Sequence, residues 1–133
     1  MDLREQIRSC DDSKVSEPIP CPEWGGDTVL YVRIISGSER DAFDAASFVQ
    51  KGKKREMSLQ DIRARLVCLA ACDATGSPVF RRGDEKWLTR KSTVPLDRLY
   101  AAAAKLNGLT TEDIEELAQY KKPKKIKGIT NTN

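Results

Sequence analysis

The hydrophobic positions of the chain change period several times, and each change predicts an element. Leu3 and Ile7, four residues apart behind Asp2, predict a short opening helix. Ser13 to Pro22 reads as an extended, edge-like segment, because Pro18, Pro20 and Pro22 each lack a backbone donor. Gly25-Gly26-Asp27 is a turn signal. Thr28 to Ile35 (TVLYVRII) is dense in β-branched residues and predicts a strand. A hairpin joining the two segments is the simplest arrangement.

Helical spacing follows. Ser36 with Glu39 forms a capping box, after which Phe43, Ala46 and Val49 recur on one face, with Ala42 and Ala45 beside them. Gln50 to Glu56 (QKGKKRE) is polar, basic and broken by Gly52, and is expected to be a mobile connector. Ser58 opens a third helix whose stripe is Leu59, Ile62, Leu66 and Leu69, with the apolar run continuing to Cys72. Asp73 to Pro78 turns the chain, Val79-Phe80 is a short segment, and a helical turn from Asp84 carries Trp87 and Leu88. Thr93 or Ser92 caps a fourth long pattern, with Pro95 in its first turn and Leu96, Leu99, Tyr100, Ala103 and Leu106 on one face. Asn107-Gly108 ends it, since glycine adopts the left-handed conformation freely. Thr110 with Asp113 opens a last helix bearing Ile114, Leu117 and Ala118. The predicted fold is mainly α, four to five helices with a small N-terminal β-hairpin. It forms a single domain over residues 1–120, followed by a basic disordered tail over 121–133.

Charge locates the tail. Of 23 basic residues, Lys121, Lys122, Lys124, Lys125 and Lys127 lie in the last thirteen positions, leaving 18 against all 20 acidic residues in 1–120, a net of −2. A mildly acidic body argues against a domain built for nucleic acid. The longest apolar run, Leu66 to Cys72, is far short of the ~20 residues that span a membrane. The charged start Met1-Asp2-Leu3-Arg4-Glu5 lacks a secretion signal, so a cytoplasmic location is expected.

The chain contains no histidine, which removes the commonest general base and zinc ligand. No phosphate-binding glycine loop appears. Carboxylate neighbours such as Asp11-Asp12 and Glu115-Glu116 diverge on a helix or strand and read as solvated surface. Cys10, Cys21, Cys68 and Cys72 are separated by ten, forty-six and three residues, not in the paired spacing of a zinc site. They read as reduced thiols, with Cys68 and Cys72 on one side of an apolar helix. No catalytic, cofactor-binding or metal-binding residues are assigned, and an enzyme is not expected.

One rival function has a local motif. Ala104, four residues before Gly108, with Ile114 six after it, is helix-turn-helix spacing, making residues 94–120 a candidate DNA-binding regulator. The second helix would carry Glu112, Asp113, Glu115 and Glu116 toward phosphates, the wrong electrostatic sign.

Beyond these signals, Pro22-Glu23-Trp24-Gly25, Val29-Leu30-Tyr31-Val32-Arg33 and Ser38-Glu39-Arg40-Asp41-Ala42-Phe43 resemble the amino-terminal half of phage tail assembly chaperones of long-tailed phages and prophages. Arg63-Ala64-Arg65-Leu66-Val67, with Asp73, Gly76 and Val79-Phe80 after it, resembles the middle of that family. Leu99, then Asn107-Gly108-Leu109, then Asp113-Ile114-Glu115-Glu116-Leu117 resembles its end. The resemblance spans roughly residues 20–118 and departs at the second glycine, Gly26, a lengthened turn. It implies a protein of the host cytoplasm that binds the tape measure protein and helps tail tube protein polymerise around it, and that is absent from the finished tail. It also implies a short form whose longer partner arises by a −1 ribosomal frameshift, for which Lys121-Lys122 or Lys124-Lys125 is the expected site. Self-association into dimers or rings is expected, because a protein coating a rod gains from multivalency. No partner-binding residues are assigned from sequence.

Overall fold

The central strand is the element around which everything else is arranged. The computed structural model describes residues 2–57 and 61–109. Helix α1 (Leu3–Ser9) is capped by the Asp2 carboxylate, which accepts from Glu5 N at 2.8 Å. It buries nothing: Leu3 and Ile7 are 68% and 67% exposed. Strand β1 (Ile19–Pro20) pairs antiparallel with β2 (Val29–Val32), matching Ile19 to Leu30 and Pro20 to Val29. Upstream, Val15 bridges to Arg33 and Ser16 N donates to Val32 O at 2.8 Å, so residues 14–20 run along one side of β2. This is the expected hairpin, and the prolines are tolerated because β1 is an edge.

The other side of β2 is occupied by a strand the periodicity did not predict. Helix α3 (Ile62–Ala70) stops two residues before the apolar run does, and Ala71–Cys72 form β5, antiparallel to β2 with Tyr31 opposite Cys72 and Val32 opposite Ala71. The sheet order is β1-β2-β5. The last carbonyls of α3 explain the stop. Ala70 O accepts from Arg33 N at 3.0 Å and Leu69 O from the Arg33 guanidinium at 2.8 Å, so strand β2 satisfies groups that helix ends leave unpaired. Cys68 and Cys72 are therefore on different elements, not on one helix face.

Helix α2 (Gly37–Ala46) has the expected capping box between Ser36 and Glu39. Phe43 is buried, but Ala46 is exposed and Val49 lies in the next element, so the predicted stripe beyond Phe43 is corrected. The helix ends where the Ser47 hydroxyl donates to Phe43 O at 2.9 Å. The predicted mobile connector is a hairpin: β3 (Phe48–Lys51) pairs antiparallel with β4 (Lys54–Met57). Gly52 opens its two-residue loop at φ 63°, the place where a hairpin turn requires a residue free of Cβ. With no apolar alternation, the strand pairing had no signature in composition.

Helix α4 (Glu85–Leu88) follows Asp84 and α5 (Thr93–Leu106) is capped by Ser92, both as predicted. Helices α3 and α5 form the most extensive helix–helix contact. Their buried faces, Ile62, Leu66 and Val67 against Leu96, Leu99 and Ala103, share one core with Leu30, Val32 and Phe43. Ala64, Ala70 and Ala104 let the backbones approach closely. Gly108 leaves α5 at φ 72°, and Leu109 is buried beyond it. The predicted helix start at Ser58 and Leu59, the last helix from Thr110 and the tail 121–133 lie outside the described residues. No helix among the described residues is long and apolar enough to cross a membrane.

Cys68 and Cys72 sit in different surroundings. Cys68 is half-buried, its sulfur 3.3 Å from Arg81 O and 3.6 Å from Glu85 Oε1, whereas Cys72 is fully buried and its thiol has no hydrogen-bond partner among the described residues. Burial, then the Glu85 charge, pushes the Cys68 thiol up to about 11. A hydroxyl at position 68 finds acceptors, so Cys68→Ser is expected to change stability by less than ~1 kcal/mol and Cys72→Ser to cost ~1–2 kcal/mol. Urea unfolding of the two variants checks the order; a costlier Cys68→Ser would contradict it.

Candidate functional site

Local geometry places both tryptophans of the chain in one cleft. Cys21 is buried and begins a 3₁₀ turn, Pro22–Trp24, that swings Glu23 and Trp24 out of the sheet edge. The proline supplies the fixed φ for that turn. On the facing side, Asp84 Oδ2 accepts from Arg81 N at 2.8 Å and Oδ1 from the Trp87 indole N–H at 3.1 Å. Leu88 is fully buried and anchors α4, leaving Trp87 42% exposed. Phe80 meets Trp87 edge-on, with centroids 5.9 Å apart and planes at 69°. The Lys91 ammonium lies 6.0 Å from the centre of the Trp87 ring. Glu23, Trp24, Phe80, Trp87, Leu88 and Lys91 line an open cleft of about 430 Å³.

Two features mark the cleft chemically. The Trp24 indole N–H is sealed from solvent and has no hydrogen-bond partner. An unpaired buried donor typically costs ~1–3 kcal/mol. The Glu23 carboxylate is engaged from behind by Arg98 of α5 in two parallel bonds of 3.0 and 2.9 Å, and Arg98 also donates to Pro20 O at 2.8 Å. Those bonds hold the Glu23 carboxyl down at about 2 and raise the Arg98 guanidinium. Thus α5 fixes the turn that carries Trp24.

A second polar cluster supports the frame from the opposite end of α5. Arg33 and Glu39 make a two-bond ion pair at 3.0 and 2.7 Å, joining β2 to the first turn of α2. Asn107, just past α5, accepts from Ile35 N at 2.9 Å and donates to Arg33 O at 3.1 Å and to Ala103 O at 2.9 Å. The segments Pro22–Gly25, Val29–Arg33, Ser38–Phe43 and Asn107-Gly108, read separately in the sequence, thus supply the cleft wall and this cluster.

No site residues were assigned from sequence, and the cleft could not have been read there. Trp24 and Trp87 are sixty-three positions apart, and no spacing rule links them. Their scarcity was the available signal, two tryptophans in 133 residues. The Asp11 carboxylate of the Asp11-Asp12 pair is exposed and accepts from Ser13 N and Oγ at 3.1 and 2.6 Å, a local turn. Among the described residues no cluster of three or more metal-type side chains occurs. The Glu115-Glu116 pair and the second helix of the DNA-binding motif lie outside the described residues.

No family model matches the chain, and no curated protein matches it in sequence. Among solved structures, the bacteriophage HK97 tail assembly chaperone is similar, with a TM-score of 0.54 at 20% identity, over 77% of this chain and 91% of that chain. At that identity the likeness concerns the fold: this chain shares the mainly α architecture with a small antiparallel sheet.

Proposed function

We propose that this protein is a phage tail assembly chaperone that binds the tape measure protein and promotes tail tube assembly around it without remaining in the finished virion. The fold likeness to the HK97 tail assembly chaperone, over most of both chains, is the observation that carries the reading. The motif segments Pro22–Gly25, Val29–Arg33, Ser38–Phe43 and Asn107-Gly108, which supply the cleft wall and the Arg33–Glu39–Asn107 cluster, support it. So does a surface that presents apolar side chains (Leu3, Ile7, Trp87 and Val94) to a partner. The role requires binding and release, not catalysis. The domain is residues 1–120 and acts in the host cytoplasm as the short form of a frameshifted pair, with tail tube protein and further copies of itself as additional partners.

Co-expression with the tape measure protein encoded alongside it is the test. The tape measure protein should move from the pellet to the soluble fraction and co-purify with this chain. Equal solubility without this chain, and no co-purification, would end the chaperone reading.

A further inference from the structure

The charges around the aromatic cleft are sorted. Residues 81–91 hold five cations, Arg81, Arg82, Lys86, Arg90 and Lys91, and two carboxylates, Asp84 and Glu85. Both carboxylates are turned to local work: Asp84 holds Arg81 N and the Trp87 indole, and Glu85 accepts from Gly83 N at 3.0 Å and faces the Cys68 thiol. Glu23, the acidic residue in the cleft wall, is neutralised by Arg98. The five cations are all exposed, and among the described residues none has a carboxylate partner. Lys91 lines the cleft with Trp87, and Lys86 and Arg90 are exposed within three positions of Trp87 along α4 and the turn after it, so cations flank the apolar opening.

Resting on the chaperone reading, we infer that the Trp24–Phe80–Trp87 cleft and its cationic rim form the docking site for an acidic amphipathic helix of the tape measure protein. One bulky apolar side chain of that helix enters the cleft lined by Trp24, Phe80, Trp87 and Leu88, and flanking carboxylates meet Lys86, Arg90 and Lys91. Helix-in-groove recognition combines an apolar anchor with a charged border in this way. The apolar walls supply affinity, while rim charges set orientation and encounter rate and select against basic helices. Exposed cations beside a tryptophan would also suit a single-stranded nucleic acid, but the Lys91 ammonium already stands over the Trp87 ring where a base would stack.

The test uses the full chain and the tape measure protein encoded with it, with affinity measured at low and high salt. Wild type is compared with Trp87→Ala and with Lys86→Glu/Arg90→Glu/Lys91→Glu, all exposed positions, and circular dichroism melts verify that each variant folds. Each variant should bind at least tenfold more weakly, and the charge-reversed one should lose most of its salt dependence. If wild type binds and both variants bind equally well, the cleft is not the site, while the chaperone reading stands. If wild type does not bind at all, the reading itself fails and takes the site with it. Tighter binding by the charge-reversed variant would overturn the inference. So would a wild-type oligomer dissolved by the reversal with partner affinity unchanged, or Trp87-dependent binding of a single-stranded oligonucleotide.

Discussion

Asn107→Ala is expected to destabilise the protein by ~2–3 kcal/mol, more than its half-buried, loop position suggests. Its amide accepts from Ile35 N and donates to Arg33 O and Ala103 O, so one side chain ties the end of α5 to the strand at the centre of the sheet. Removing it leaves the Arg33 carbonyl and the Ile35 N–H without this partner, each worth ~1–3 kcal/mol when water cannot replace it, while Ala103 O keeps the backbone N–H of residue 107 at 3.0 Å. Water reaches part of a half-buried site, which holds the total to the lower end. Asn107→Asp keeps the acceptor for Ile35 N but turns both donated bonds into contacts between a carboxylate and carbonyl oxygens, so it should cost at least as much. Urea unfolding with unchanged slope measures both. A loss under ~0.5 kcal/mol for Asn107→Ala would mean that the cluster does not hold α5 in place.

The Arg33–Glu39 pair should make the protein acid-labile in a defined window. Glu39 is pulled down to about 2, first by the Arg33 bonds and then by the backbone bond from Ser36 N, against an ordinary carboxyl near 4.5. The folded state therefore holds the proton less tightly than the unfolded chain. Stability from this group is fully present above about pH 5 and is lost as pH falls from ~4.5 toward ~2. The displacement corresponds to ~3 kcal/mol at 1.36 per unit, and partial exposure, 19% for Arg33 and 31% for Glu39, brings the figure to ~2 kcal/mol. At neutral pH, Glu39→Gln should cost ~2–3 kcal/mol, because the partly buried guanidinium loses its charged partner and one of the two bonds to it, keeping Leu69 O and the amide oxygen. Glu23, Asp11 and Asp73 are also held low, so the whole-protein acid slope contains their contributions. The difference between wild-type and Glu39→Gln melts across pH 2 to 7 isolates the one group. Parallel pH profiles for the two proteins would refute the assignment.

What the sequence determined by itself was every element whose signal is local. Asp2 and Ser36 cap their helices, Pro18 and Pro20 mark an edge, the stripe from Leu96 to Leu106 is a buried helix face, and Gly108 ends it, because each rests on residues within one or two turns of each other. Tertiary structure alone decided the rest. The run from Leu66 to Cys72 has the same apolar pattern as helix or buried strand, and only pairing with β2 makes Ala71–Cys72 a strand. Residues 48–57 become a hairpin through backbone bonds to each other, which leave no trace in side-chain polarity. Arg33, Glu39 and Asn107 were legible as a strand residue, a cap and a helix stop, but not as one cluster. Trp24 and Trp87 form a cleft because α5 grips Glu23 through Arg98 while buried Leu88 anchors α4. A contact between residues distant in sequence depends on how whole elements are packed, and single-sequence periodicity carries no term for that.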